Sequence, residues 1–81
     1  MRVEAETLET LETVLRELGT IRRMDGRYLL RVPCDDAYAF DLLDGRRGSI
    51  PAWEIEGPQT ETQIRHRVAE AIETARKGAV G

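Results

Sequence analysis

Apolar residues recur every three or four positions near both ends of the chain and every second position between them. Leu8, Leu11, Leu15 and Leu18, widened by Val14, form one stripe of a helix predicted from about Glu4 to Leu18. Glu4 and Glu6 sit in its first turn, where the helix dipole favours negative charge, and Gly19 supplies a left-handed stop. Ile64, Val68, Ala71, Ile72 and Ala75 mark a second helix from about Glu61 to Lys77, preceded by Pro58 and ended by Gly78. Thr60 and Gln63 have capping-box spacing, so each side chain can satisfy an orphan amide of the first turn.

The middle of the chain alternates as strands do. Asp25-Gly26 predicts a type I′ hairpin turn between Thr20–Met24 and Arg27–Val32, because Asp and Gly tolerate positive φ. Opposed residues share a face, so Ile21, Tyr28, Leu30 and Val32 belong together. Tyr38, Phe40 and Leu42 alternate along Ala37–Leu43. To share their side, Val32 must be joined through an odd loop around Cys34-Asp35-Asp36. A four-residue loop would set Val32 opposite Ala37 and invert every side chain. Ser49–Ile55 follows as a fourth strand, and Pro51, which has no amide to donate, places it at the sheet edge.

The expected fold is therefore α+β: a two-layer sandwich, helix – four-stranded antiparallel meander – helix, with both helices on one face of the sheet. Residues 1–78 read as a single domain and 79–81 as a frayed tail. The expected core is Leu8, Leu11, Leu15, Leu18, Ile21, Tyr28, Leu30, Val32, Tyr38, Phe40, Leu42, Ile64, Val68 and Ile72. The opposite face, with Ala39 facing Trp53 and Asp41 facing Pro51, would display Arg22, Met24, Arg27, Leu29, Arg31, Ala39, Asp41, Trp53 and Ile55.

Composition bounds the chemistry. A chain of 81 residues supports one core at most. Such a core supplies only about 3–5 kcal/mol net, and a homodimer is a natural way to add to it. Acids outnumber bases 15 to 12, which does not describe a polybasic nucleic-acid binder. The acids concentrate in the first helix, on Glu6, Glu9, Glu12 and Glu17. No apolar run reaches the roughly 18 residues of a membrane span, and the acidic start is unlike a signal peptide, so the expected location is the cytoplasm.

The single cysteine and single histidine argue against a disulfide and a transition-metal site. Asp35 and Asp36 beside Cys34 oppose its use as a nucleophile, and His66 falls on the solvent side of the second helix. Gly45-Arg46-Arg47-Gly48 has the spacing of a GxxG backbone clamp, but here it lies between strands, not helices. No catalytic, cofactor-binding or metal-binding residues are assigned.

The sequence thus predicts a non-enzymatic protein-interaction module: a regulatory, inhibitory or adaptor protein whose partner is another protein. Its contact residues would be Trp53, Ile55, Arg22, Leu29 and Arg31 on the open sheet face, and Glu9 and Glu12 on the acidic helix. An inhibitor from a phage or toxin system would fit, since an acidic face can occupy a partner's nucleic-acid groove. The alternative is nucleic-acid binding through Arg27, Arg46 and Arg47 on an Arg/Trp face.

Overall fold

The computed structural model describes residues 3–23 and 25–78. The tail 79–81 and the expected place of Met24 on the open face lie outside them. In chain order, two helices, α1 (Ala5–Glu17) and α2 (Glu61–Gly78), precede and follow a four-stranded antiparallel sheet of β1 (Thr20–Ile21), β2 (Leu30–Val32), β3 (Ala37–Leu42) and β4 (Arg47–Pro51).

The helix ends follow their local chemistry. Gly19 has φ +83°, and the N–H groups of Leu18 and Gly19 reach back to the carbonyls of Val14 and Arg16. The capping box forms at α2: Thr60 N–H donates to Gln63 Oε1 (2.9 Å) and Gln63 N–H to Thr60 Oγ1 (3.2 Å). Thr20 turns its hydroxyl onto the Leu15 carbonyl (2.8 Å), locking the first strand beneath the end of α1.

The sheet is not the expected meander. β4 occupies one edge of β3 from Ala37 to Asp41. On the other edge, β1 pairs Ile21 with Asp41 and β2 pairs Leu30 with Ala39. β1 and β2 therefore lie end to end in one lane, and residues 22–23 and 25–29 leave the ladder between them. The Asp25-Gly26 turn exists, with Gly26 at φ +84°, but it closes one residue earlier than a two-residue hairpin turn would. Instead Gly26 N–H bonds the Arg23 carbonyl (2.9 Å) and Arg23 N–H the Arg27 carbonyl (2.6 Å), closing a small excursion.

The loop between β2 and β3 is the four-residue one, with Val32 opposite Ala37. A 3-10 turn, Pro33–Asp35, and Asp36 at φ 48° make that reversal. Its consequence is that Leu30 and Val32 stand on the side away from the aromatic residues, where the β1 register also puts Ile21, and Leu29 goes inward in their place. The consecutive pair Leu29-Leu30 can place either leucine inward, and the excursion frees β2 from the parity that a direct hairpin would impose. Ile21, Leu30 and Val32 are thereby removed from the expected core. Leu18, just past the end of α1, is likewise exposed.

β4 begins earlier than expected: Leu42 N–H bonds the Arg46 carbonyl (2.7 Å) and Asp41 pairs with Arg47. The shift of register leaves face parity intact, so Ala39, Asp41, Ser49 and Pro51 still share a side. It carries Trp53 and Ile55 off the sheet into a 3-10 turn, Ala52–Ile55.

One core cluster joins Leu11, Val14 and Leu15 of α1 and Ile64, Val68 and Ile72 of α2 to Phe40, Leu42 and Ile50 of the sheet, with Leu29 and Ile55 closing it. Both helices thus bury their apolar stripes against the Phe40 side. Gly48 is required there, because a Cβ would fall 2.5 Å from Phe40 Cζ and 3.2 Å from Ala75 Cβ.

Candidate functional site

The registers arrange the far side of the sheet as a grid of three rows. Ile21, Asp41 and Arg47 form the first; Leu30, Ala39 and Ser49 the second; Val32, Ala37 and Pro51 the third. Six of these nine side chains are apolar. An antiparallel sheet that faces water ordinarily alternates to polar residues on that side, and this one does not. Ile21 and Leu30 are each 38% exposed, Val32 and Pro51 are half-buried, and the small Ala37 and Ala39 are shielded at the floor.

Charge gathers at one end of the grid. Asp41 Oδ1 accepts from Arg23 (3.2 Å) and from Arg47 Nε (3.0 Å), two cations on one carboxylate. Arg23 is largely buried, and its Nε has no hydrogen-bond partner. At the other end, Asp35 and Asp36 sit in the turn that follows Val32, and Arg31 holds Asp36 at 2.7 Å.

The expected contact residues scatter. Leu29 and Ile55 are core residues, 5% and 0% exposed, so neither is available on the surface; each was displaced by the register changes described above. Trp53 is 67% exposed, but on the turn beyond β4 and not within the ladder. Arg31 pairs with Tyr38 in register, so it lies on the helix side, its guanidinium 5.2 Å from the Tyr38 ring centre. Arg22 leaves the ladder and stacks over Tyr28 at 5.7 Å.

The acidic helix face is partly spent on internal contacts. Glu12 accepts from Arg27 Nε (2.9 Å) and Tyr28 N–H (2.8 Å), and Glu17 from Arg65 (2.6 Å), whereas Glu6 and Glu9 stay exposed. The hydrogen bond to Glu61, then that to Glu17, holds the exposed Arg65 guanidinium above its ordinary pKa.

Of the arginines proposed for nucleic acid, Arg27 is held by Glu12 and Arg47 by Asp41. Arg46 lies 3.8 Å from Asp44 and donates to the Arg76 carbonyl at the end of α2. Cys34 is exposed in the turn before β3, and His66 faces solvent beside Glu70.

The sequence-based reading placed Ala39 and Asp41 correctly on this face, put Pro51 on it opposite Asp41 where it stands opposite Ala37, and missed Ile21, Leu30, Val32, Ala37 and Arg23. The available signal was the Leu29-Leu30 doublet, whose alternative parity turns the whole β2 strand over. No described helix is long and apolar enough to cross a membrane. Comparison of the chain with family models, with curated proteins and with solved structures finds no match.

Proposed function

We propose that this chain is a small non-enzymatic protein-interaction module, a cytoplasmic regulator, inhibitor or adaptor that docks through the open side of its sheet. The observation that carries the reading is the grid itself: Ile21, Leu30, Val32, Ala37, Ala39 and Pro51 on the side the helices leave bare. Apolar groups gathered in this way, bordered by charge, are the arrangement of a contact surface. The acidic face of α1 supports it less, because Glu12 and Glu17 already have arginine partners. Against the nucleic-acid alternative stands the pairing of Arg27, Arg31 and Arg47 with carboxylates, which leaves little net charge to neutralise phosphates.

A photo-crosslinking residue at Leu30, expressed in cells beside the same residue at the exposed Ala69 of α2, tests the reading. Protein adducts from Leu30 alone are expected. No adduct at Leu30, or equal labelling at both sites, overturns it. Nucleic-acid adducts at Leu30 would favour the alternative.

A further inference from the structure

We propose that the partner on the open sheet face is a second copy of this chain. The two sheets pack face to face about a two-fold axis that lies in the interface and runs across the strands. The proposal rests on the reading of that face as a contact surface and names its occupant.

The argument is one of self-complementarity. A two-fold interface uses the same patch twice, so a patch suits its own copy only if rotation brings unlike features together. Along the strands this face is polar in the electrical sense. Its Asp41 end carries Arg23 and Arg47 on one carboxylate, a net positive charge. Its Ala37 end adjoins Asp35 and Asp36, of which, among the described residues, only Asp36 has a cation, Arg31, so the net there is negative. Ala37 and Asp41 are four residues apart on one strand, or about 13 Å at 3.3 Å per residue.

An axis parallel to the strands would lay the positive end on the positive end. An axis across them keeps each lane over its own copy and lays the Arg23–Arg47 end of one protomer over the end of its partner that adjoins Asp35 and Asp36, twice, with the Leu30–Ala39–Ser49 row at the centre. Trp53, two residues beyond Pro51, lies at the negative end, beside the incoming arginines.

The size of the face fixes the strength. Three lanes about 4.8 Å apart and some five residues long cover roughly 250 Å², well below the ~800 Å² per partner of a standard interface. The dimer is therefore weak and concentration-dependent, with a Kd in the micromolar range or above, and both helices remain outward.

Sedimentation equilibrium of the full chain from micromolar to millimolar concentration tests it. The weight-average mass should rise toward twice the monomer mass, and Leu30→Glu, a change at an exposed position, should hold the monomer. A charge exchange addresses the geometry. Arg47→Glu and Asp35→Arg should each raise the Kd about tenfold by setting like charges together. Mixed in equal amounts, they should recover a heterodimer, since each altered end meets its altered complement.

A chain that stays monomeric at millimolar concentration, Leu30→Glu dimerising as the parent does, or a mixture that fails to recover association, overturns the proposal. If the chain stays monomeric while Leu30 crosslinks a different protein, only the second copy is lost; if Leu30 crosslinks nothing, the interaction reading falls with it.

Discussion

One oxygen of the Glu12 carboxylate accepts the main-chain N–H of Tyr28 at 2.8 Å, and the other accepts Arg27 Nε at 2.9 Å. This single side chain ties α1 to the excursion between β1 and β2. The two bonds differ in worth. Glu12 is mostly shielded and holds a half-buried amide, whereas Arg27 is 58% exposed. Glu12→Ala should therefore cost about 1.5–3 kcal/mol, as expected for a hydrogen bond to a charged acceptor, and Arg27→Ala under about 1 kcal/mol. Urea unfolding measures both. Hydrogen exchange should show the Glu12→Ala effect first at the amides of Tyr28 and Leu29.

Leu29 and Leu30 are neighbours with opposite fates. Leu29→Ala should destabilise by about 2–5 kcal/mol, the range for truncating a buried leucine. Leu30→Ala should cost less, about 1–2 kcal/mol, because Leu30 keeps 38% of its surface in water. The reverse order in thermal or urea unfolding of dilute protein would return β2 to the parity that the alternation of Tyr28, Leu30 and Val32 suggested.

Gly48 tests the close approach of the sheet to α2. Its backbone is not left-handed, so the cost of Gly48→Ala is steric: the new methyl meets the Phe40 ring and Ala75. A loss of about 1–3 kcal/mol is expected, as for other overpacked cores. Pairing it with Phe40→Leu should recover part of that loss relative to the sum of the single changes, a coupling that a double-mutant cycle measures directly.

The capping box makes the sharpest local test. Thr60→Ala should cost about 0.5–2 kcal/mol and fray the first turn of α2, whereas Thr60→Ser should be nearly silent. Amide exchange at Gln63 and Ile64 reports the fraying.

These tests divide along the line between what the residues reveal locally and what they do not. The helices, the Gly19 stop and the Thr60–Gln63 box were legible because each depends on neighbours within one turn. The aromatic side of β3 was legible because Tyr38, Phe40 and Leu42 alternate without competition. The lanes of the sheet were not, because Asp25-Gly26 forms a turn in either topology and only long-range pairing with β3 distinguishes a hairpin from an excursion.

The candidate surface suffered most, since it inherits every parity error. Leu29 and Ile55 changed sides, Trp53 left the ladder, and Ile21, Leu30 and Val32 took the exposed places. The arginines kept their chemistry but lost their freedom, because carboxylates such as Glu12 and Asp41 are brought to them only by the tertiary fold.

The interrupted lane has an evolutionary and practical consequence. β1 and β2 are each aligned by β3 and not by one another, so the length of the segment between them is decoupled from sheet alignment. Residues inserted after Gly26, whose added Cβ would meet nothing within 4 Å, would enlarge a protruding tab while the ladder stayed in place. The fold thus carries a built-in graft point at which new recognition sequences could be displayed, or lost, without redesigning the scaffold beneath.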